Sequence, residues 1–553
     1  MIILDQIKIR NLRSLKDTGY IDIKPLTVLV GKNSSGKSTF LRFFPLMKQT
    51  LSTKKNEPIL WYSKENVDFG SFRESINKKN TEKNIGFDFN FNIYSNKYRS
   101  RILRSSIDDI IPISLSIDLL EKSLDKINIK IFDSQIILKE YNNEYSLNIN
   151  NQEIKDLFKV NNPNVFENLL PRLFLMNKDT EIGIEKLRKT SINIYFKELI
   201  YDFLIEKKKV KEDHKEIKSK IKNDIEIFMQ EFNFLTLKKV AEKDISILDY
   251  IKEALNDHES EEDFLKDYHF EQNYIIDSSE ENTLLEFLKK ATSDEYEFIN
   301  NLFLGTYVNK LIESINEYFI SYFSQVHYIA PLRASAQRYY RLQGLSVDEI
   351  DPQGENIPMA INHLSKFEKR QFKTWMKINF GFQIDTTVNG GHVTLNISFD
   401  DEENLNLADT GFGFSQILPI LLLLWRTRDI KDNFKSTRSM MAMNTHNIVI
   451  EQPELHLHPA LQSRLTDALI TCIKEANSNN IRLNIIIETH SETIINRIGY
   501  LVYKEKIDQD KVNVLIFGDL EKQNHSDSCI NSVSFDEEGR IKDWPLGFFY
   551  PEV

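Results

Sequence analysis

Cysteine is nearly missing from this sequence. Only Cys472 and Cys529 occur among its 553 residues, and they lie far apart in the chain. Two thiols allow one disulfide at most, so they exclude a disulfide framework and disfavour a cysteine-based metal site. This sparing use of cysteine fits a reducing compartment, and we expect the protein to be cytoplasmic.

Long hydrophobic runs are also missing. The longest, ILPILLLLW at 417–425, is far shorter than the roughly 20 residues that cross a bilayer, so it predicts a buried helix and no membrane partner. The first residues mix charge into an apolar run and lack a small-residue cleavage site, which argues against a signal peptide.

An excess of positive charge is missing as well. The formal net charge is −11, which argues against a surface coated in nucleic-acid-binding charge but leaves a local basic surface open. The composition, 41% hydrophobic and 28% charged, is typical of a soluble globular protein. The length predicts several domains.

Three segments follow from the residue patterns. The first, 1–153, has a strand, loop and helix followed by period-two runs over 85–149, which predict an antiparallel meander. The second, 154–322, is poor in glycine and proline and predicts a helical insertion. Its charged run 206–222 indicates a solvated helical face or, alternatively, a nucleic-acid-contacting arm. In the third, 323–553, strands and helices alternate, which predicts an α/β fold.

A glycine-rich loop of the form G-x-x-x-x-G-K-[ST] occupies 31–38, after a strand and before a helix. Glycines let the backbone N–H groups point at phosphate oxygens, and the helix N-terminus adds a favourable dipole. Lysine at this position reaches the β- and γ-phosphates, and serine supplies a hydroxyl to Mg²⁺. We therefore expect ATP to bind Asn33, Ser34, Ser35, Gly36, Lys37, Ser38 and Thr39.

Two further strands end in polar residues. The apolar strand 447–450 runs into Glu451, and we expect it beside the strand of the glycine-rich loop, with Glu451 holding Mg²⁺ through water. The apolar strand 485–487 precedes His490, which is placed to touch the γ-phosphate or orient water. Between loop and acidic strand, Gly411, Gly413 and Ser415 precede an apolar helix and predict a second anion-binding helix N-terminus.

The order of these motifs resembles the ABC/SMC/RecF class of ATPases. More narrowly, the chain resembles the RecF- and OLD-like ATPases of bacterial defence loci and, within them, the PtuA family of Septu systems and retrons. The residues that carry the resemblance span nearly the whole chain apart from the insertion: IKIRNLRSLKD, VLVGKNSSGKST, VDFGSF, YIAPLRASAQRYY, ADTGFGFSQILPIL, IEQPELHLHPALQ, IETHSE and IKDWPLGFFYPE. The implied fold is an α/β, ABC/SMC-type P-loop nucleotide-binding domain with an antiparallel β subdomain, interrupted by a helical insertion.

The resemblance assigns roles to individual residues. Lys37 is the Walker A lysine, and Ser38 is the Mg²⁺ ligand beside it. Glu451 stands at the Walker B aspartate, again as a Mg²⁺ ligand, and His490 is the switch histidine. The signature loop contacts the γ-phosphate that the partner subunit holds, through Gly411, Gly413 and Ser415.

Other matches are shorter. Arg13 matches the arginine of an N-terminal element near the nucleotide, and 68–71 stands at the Q-loop. The pair His456 and His458 lies at the D-loop position, which explains it without a metal ion. Two arginines, Arg333 and Arg338, are open to two interpretations: they bind phosphate or they brace the domain.

One position departs from the pattern. Gln452 stands where these ATPases usually carry a catalytic glutamate. Glutamine orients water but is no general base, so Glu454 is the alternative base. We expect slow hydrolysis, with ATP acting mainly as a clamp.

The function implied is that of a dimeric, head-to-tail ATPase of antiviral defence that uses ATP and Mg²⁺. In the resembled family the effector is a separate HNH nuclease, and in retrons a reverse transcriptase and its RNA–DNA product join the complex. Two alternatives stay open: a RecF- or OLD-like ATPase that acts on DNA directly, and a transporter ATPase subunit. The roughly sixty residues after His490 leave no room for the Toprim nuclease domain of OLD proteins.

Overall fold

A computed structural model gives the fold for most of the chain. The described residues are 2–79, 83–94, 110–160, 165–179, 186–207, 218–222, 225, 291–344, 347, 349–399, 404–428, 445–479, 481–518 and 530–541.

The strands are β1 (Ile2–Leu12), β2 (Leu15–Asp17), β3 (Ile21–Asp22), β4 (Leu26–Gly31), β5 (Ile85–Tyr94), β6 (Ile110–Leu119), β7 (Leu124–Ile131), β8 (Ser134–Tyr141), β9 (Glu144–Ile149), β10 (Gln152–Val160), β11 (Leu173–Asp179), β12 (Lys186–Ser191), β13 (Val326–Ile329), β14 (Tyr340–Arg341), β15 (Phe382–Asn389), β16 (His392–Phe399), β17 (Leu405–Asn406), β18 (Thr445–Glu451), β19 (Arg482–Glu488), β20 (Val512–Phe517) and β21 (Ile530–Val533).

The helices are α1 (Lys37–Ser52), α2 (Phe72–Ser75), α3 (Ile192–Lys207), α4 (Ser293–Ser324), α5 (Ile357–Asn362), α6 (Lys366–Phe380), α7 (Phe412–Arg428), α8 (Pro459–Ser478) and α9 (Glu492–Tyr503), with short 3₁₀ turns at Leu407–Asp409 and Gln509–Lys511. Among the described helices, none is both long and apolar enough to cross a membrane.

The chain forms two compact units. The nucleotide unit, as we call it, consists of Asp5–Lys55, Ile59–Phe87 and Phe319–Val553. The meander unit consists of Met1–Leu4, Asn56–Pro58 and Asp88–Tyr318.

A mostly parallel sheet forms the centre of the nucleotide unit, in the order β13-β18-β19-β4-β20-β21. Its strands are parallel except β21. Strands β4, β18 and β20 are buried along their whole length, because helices cover both faces of such a sheet and require apolar residues there. The α/β class that the sequence predicts is thereby confirmed.

The strand order corrects one prediction. We expected the acidic strand, β18, to lie beside β4, the strand of the glycine-rich loop. Strand β19 lies between them. In the register of the sheet, Glu451 lies opposite Glu488, and Glu488 lies opposite Leu29 of β4. The sequence order of parallel strands does not fix their spatial order, because each crossover helix can return the chain to a more distant place.

The apolar run 417–425 forms part of α7, as predicted, and every residue of the run is buried. It packs in the core of the nucleotide unit together with residues of α6, α8 and the small antiparallel sheet β14-β16-β15. The helix begins at Phe412, so Gly413 and Ser415, which we expected before the helix, lie in its first turn, and only Gly411 precedes it.

Strands β5 to β12 are successive neighbours and, from Asp88 of β5 onward, belong to the meander unit. The pairs from β6 to β12 are antiparallel. The meander is therefore confirmed, but it is longer than predicted. The predicted boundary at 153/154 falls inside β10, and strands continue to Ser191. Period-two alternation is weak in β10, whose burial pattern has three exposed residues in succession, so the sequence gives little strand signal there.

In the described part of the predicted insertion, the first helix is α3, which begins at Ile192, and α4 lies later in the chain. Two asparagines of α4, seven residues apart, bind the backbone at and just before the start of β11. Asn309 donates to and accepts from the backbone of Leu173, and Asn316 does the same with Leu170. Most of the charged run 206–222 lies outside the described residues.

Candidate nucleotide site

The glycine-rich loop connects β4 to α1, and its conformation requires glycine at two positions. Gly31 has φ 149°, and a Cβ there would lie 2.2 Å from the carbonyl oxygen of Phe517. Gly36 has φ 105°, and a Cβ there would lie 2.6 Å from a methyl carbon of Leu15. Both values lie in the region that L side chains rarely adopt. The loop therefore forms the tight backbone cradle that the motif predicts.

Lys37 opens α1 and is buried. Its Nζ donates hydrogen bonds to the carbonyl oxygens of Gly31 at 2.9 Å and Lys32 at 2.8 Å. Burial lowers the pKa of Lys37, and the carboxylates of Glu488 and Glu454 oppose that shift. The ammonium thus lies folded across the mouth of the cradle, and its ion pair with the carboxylate of Glu488 is longer, at 4.0 Å.

Ser38 contacts a carboxylate that the sequence did not single out. Its Oγ donates a 2.7 Å hydrogen bond to Oε2 of Glu488, the last residue of β19. The Glu488 side chain is almost fully buried, and burial raises its pKa, with the nearby Glu451 adding to the shift. The hydroxyl expected at Mg²⁺ is therefore already paired with an acidic group.

Glu451, the expected Mg²⁺ ligand, is held by two other side chains. Arg42 of α1 donates from Nε to one oxygen at 2.6 Å and from Nη2 to the other at 2.8 Å. The hydroxyl of Tyr328 donates at 2.7 Å. Glu451 is 2% exposed and the side chain of Arg42 is 31% exposed, so the pair is partly buried. A bidentate, charge-assisted pair of this kind is stronger than a neutral hydrogen bond. The hydrogen bonds from Arg42 raise the pKa of its guanidinium.

The turn after β18 has unusual backbone geometry. Gln452 has φ 43° although it is not glycine, and its N–H donates to the carbonyl of Glu488 at 2.8 Å. Arg333 is buried and donates from Nη2 to the carbonyls of Glu451 at 2.8 Å and Gln452 at 3.4 Å. Of the two interpretations of Arg333, its contacts fit the brace. Desolvation lowers its pKa to about 10.

The side chain of Glu454 contacts the predicted switch at Thr489 and His490. Its two oxygens accept hydrogen bonds from the hydroxyl of Thr489 at 2.9 Å and the backbone N–H of His490 at 2.7 Å. Burial raises the pKa of Glu454, a favourable property for a general base that works near neutral pH. Desolvation and the charge of Lys37 lower the pKa of His490, which favours its neutral form.

The N-terminal arginine and the predicted Q-loop contact each other. Arg13 places its guanidinium 4.4 Å from the ring centroid of Phe69 and donates to the carbonyl of Asp68 at 3.3 Å. Desolvation and the charge of Arg42 lower the pKa of Arg13. The two elements that the resemblance places near the nucleotide thus form one cluster.

Of the predicted signature residues, Gly411 precedes α7, and Gly413 and Ser415 lie in its first turn. Gly413 is needed by packing, since a Cβ would lie 2.5 Å from the carbonyl oxygen of His456. The ring of His456 packs edge-on against Phe412 at 4.9 Å. Ser415 is buried and donates to the carbonyl of Phe412. Among the described residues, no atom lies within 4 Å of a Cβ added at Gly411, and its φ is not left-handed, so packing within the described part of the chain does not explain it.

A family profile described as "AAA ATPase domain" matches residues 1–495. The chain belongs to this AAA ATPase family. No curated protein matches the sequence. Among solved structures, this AAA ATPase is similar to the Smc head domain of Pyrococcus furiosus crystallised with the C-terminal domain of ScpA, at 12% identity over 97% of each chain and a TM-score of 0.30.

Other solved structures show a similar sequence identity and TM-score. The SMC head domain of Thermotoga maritima is 9% identical over 96% of this chain and 99% of its own, with a TM-score of 0.31. The Smc head domain of Pyrococcus yayanosii with a coiled coil and joint is 11% identical over 98% of each chain, with a TM-score of 0.30.

The remaining motif residues of this AAA ATPase have structural contacts. His458 caps α8, accepting at Nδ1 from the N–H of Ala460 at 3.3 Å. Arg338 pairs with Asp409 on the surface, which fits bracing. In the part of the chain that the structure describes, no three His, Cys, Asp or Glu side chains cluster as a metal site.

The residues present fit ATP with Mg²⁺. The glycine cradle is formed, and the hydroxyl oxygen of Ser35 is buried without a hydrogen-bond partner among the described residues. The hydrogen bonds of Lys37 at 2.8–2.9 Å go to neutral backbone carbonyls, and its ion pair with Glu488 is longer, at 4.0 Å. Mg²⁺ commonly takes one or two protein ligands together with phosphate oxygens, and Ser38 with a neighbouring carboxylate supplies that set. Asn33 and Ser34 are exposed at the cradle, and Thr39 is buried behind it.

Three residues of the site escaped the sequence argument: Glu488, Arg42 and Tyr328. Glu488 precedes the switch Thr489-His490 in the same motif, and its position at a strand end was a usable signal. Arg42 lies four residues after Ser38 and therefore on the same face of α1, which also was visible. Tyr328 carries no motif signal, because its role depends on β13 lying next to β18.

Proposed function

We propose that this AAA ATPase binds ATP with Mg²⁺, dimerises head to tail around two composite sites, and serves a bacterial antiviral defence system of the Septu or retron type. In that system it gates a partner HNH nuclease within a nucleic-acid-sensing complex, which in retrons includes a reverse transcriptase and its RNA–DNA product. The observation that carries ATP binding is the formed cradle, with Lys37 across its mouth and Ser38 at the first turn of α1.

Support for the dimer comes from Gly411. Glycine at a position without local steric need is explained when another group must approach the backbone closely. The loop stands at the start of a helix, where N–H groups attract anions. A γ-phosphate bound to the cradle of a second copy is such a group. The half-exposed Phe412 beside it offers apolar surface to the same partner.

The signature loop is also linked to the catalytic strand of its own chain. Gln416 of α7 is buried and donates to the carbonyl of Arg333 at 3.1 Å. Arg333 in turn holds the carbonyls of Glu451 and Gln452. A partner's nucleotide at the loop can therefore act on the turn that faces the chain's own nucleotide.

Hydrolysis in this proposal is slow. Gln452 orients water without accepting its proton, while Glu454 is fixed by Thr489 and His490 and has a raised pKa. ATP then works mainly as a clamp that holds two subunits together until turnover releases them.

The dimer is tested with matched glycine variants. Gly411→Asp places a negative charge where the γ-phosphate must come. We expect it to bind fluorescent ATP normally but to lose the ATP-dependent dimer in analytical ultracentrifugation. Gly344→Asp is the control, since Gly344 is equally exposed with open space around it. Equal dimerisation of both variants would overturn the composite site.

The defence role is tested in cells by phage plaque counts with and without the neighbouring genes. Protection that requires both Lys37 and a neighbouring HNH nuclease gene supports the proposal. Activity on DNA by the purified chain alone, with no dependence on a nuclease partner, would favour the alternative of a RecF- or OLD-like ATPase.

A further inference from the structure

We infer that Glu488, rather than Glu451, is the carboxylate that helps Ser38 hold Mg²⁺, directly or through one water, and that Glu451 is a positioning residue for Arg42. The inference rests on the proposed binding of ATP with Mg²⁺ at this site and deepens it by exchanging the roles of two glutamates.

The first argument is availability. Both oxygens of Glu451 are engaged by Arg42 at 2.6 and 2.8 Å, and Tyr328 adds a third hydrogen bond. Moving this carboxylate to a metal ion would break a bidentate, charge-assisted pair with Arg42, whose side chain is 31% exposed, together with the hydrogen bond from Tyr328. In Glu488, Oε2 accepts from Ser38 and Oε1 faces Lys37 at a longer 4.0 Å.

The second argument is position. Ser38 and Arg42 lie four residues apart on α1 and so face the sheet together. They contact two adjacent strand ends in parallel: Ser38 meets Glu488 on β19, and Arg42 meets Glu451 on β18. Strand β19 borders β4, whereas β18 lies one strand, about 4.8 Å, farther from the cradle. The serine hydroxyl and the nearer glutamate are therefore already paired.

The third argument is charge. Arg42 compensates Glu451, whereas Glu488 has Lys37 as its nearby cation. When Lys37 turns to the phosphates, the buried Glu488 keeps the hydrogen bond from Ser38 and the more distant charge of Arg42, which Glu451 already engages. An uncompensated buried carboxylate is costly, and a divalent cation beside Ser38 restores the balance. Since Mg²⁺ would come with the nucleotide, the departure of the lysine and the arrival of the cation coincide.

The test measures metal-dependent tightening of ATP binding, with Mn²⁺ as the probe. The affinity for a fluorescent ATP analogue is compared in EDTA and in Mn²⁺, and the bound Mn²⁺ is followed by its electron paramagnetic resonance signal. Glu488→Gln keeps an oxygen that accepts from Ser38. We expect its affinity in EDTA to be at least that of the unmodified protein, and its tightening by Mn²⁺ to fall at least about tenfold.

The comparison is a double variant, Arg42→Gln with Glu451→Gln, which removes both charges of the pair together and so leaves neither without its partner. We expect it to keep the Mn²⁺-dependent tightening within about twofold. Loss of the tightening in the double variant, with retention in Glu488→Gln, would overturn the inference while leaving ATP binding intact. No ATP binding by the unmodified protein would overturn the proposed function and this inference together.

Discussion

Two glutamates end neighbouring strands, and their surroundings give them different chemistry. Glu451 pairs with Arg42, whereas Glu488 receives the hydroxyl of Ser38. Both are apolar-strand termini followed by polar residues, so the sequence pattern treats them alike. They are separated by the side chains that face each strand end and by the place of each strand in the sheet. At the scale of the residue, pairing rather than residue type determines which carboxylate is available to a cation.

The first residue-scale prediction concerns turnover. Gln452→Glu supplies a general base at the turn, and we expect the steady-state ATPase rate to rise about 10²-fold, the lower part of the usual range for such a base. Glu454→Gln should lower the remaining rate of the unmodified protein. Because burial raises the pKa of Glu454, the unmodified rate should increase with pH through that raised pKa, as the base loses its proton.

An unchanged rate in Gln452→Glu would contradict the clamp interpretation. Lys37→Ala is the control that shows the rate belongs to this site, because it removes the ammonium from the cradle.

The second residue-scale prediction concerns Lys55, which is 6% exposed and whose Nζ has no hydrogen-bond partner among the described residues. Burial lowers its pKa to about 8, while the unfolded value is about 10.4. The unfolded chain therefore binds more protons between these values, and stability rises with pH across that window. We expect Lys55→Met to raise the free energy of unfolding by about 3 kcal/mol at pH 7.

Chemical denaturation at several pH values checks this. The advantage of Lys55→Met should shrink above pH 8 and vanish near pH 10.5. A constant difference across that range would show that Lys55 is not the cause.

At the scale of the element, the loop that carries Arg333 connects α7 to the end of β18 through hydrogen bonds. Gln416 donates to the carbonyl of Arg333, and Arg333 donates to the carbonyls of Glu451 and Gln452. Every member is buried or nearly so, which makes the connection sensitive to loss of a single donor.

The element-scale prediction follows from this. Gln416→Leu leaves the carbonyl of Arg333 unsatisfied, and we expect a loss of about 1–3 kcal/mol in the free energy of unfolding. We also expect ATPase activity to fall while ATP affinity stays within about twofold, since α7 does not form the cradle. The half-buried Gln371→Leu on α6 is the matched control for the same substitution, and equal effects of the two would argue against a specific connection.

At the scale of the whole molecule, the formal net charge of −11 opposes long-range attraction to a polyphosphate backbone. Nucleic acid in the proposed complex is therefore better held by partners or by a local surface. The nucleotide unit contains every described contact of the candidate site. Its free energy of unfolding should therefore increase when nucleotide binds.

The whole-molecule prediction is a linked thermal shift. A ligand at 100 times its dissociation constant stabilises the folded state by about 2.7 kcal/mol, and ATP with Mg²⁺ should raise the unfolding temperature accordingly. Lys37→Ala should abolish the shift, whereas Lys32→Ala, an exposed side chain of the same loop, should keep it. Calorimetry of each variant against its own nucleotide-free form provides the measurement.

The sequence by itself determined the α/β class, the cradle at 31–38, the buried helix at 417–425 and the family, because these depend on local spacing and on the period of apolar residues. The tertiary structure alone decided that β19 lies between β18 and β4, that the meander runs on to Ser191, and that Glu488 meets Ser38. Spatial order of parallel strands and partners across them arise from long-range packing, which no local pattern encodes.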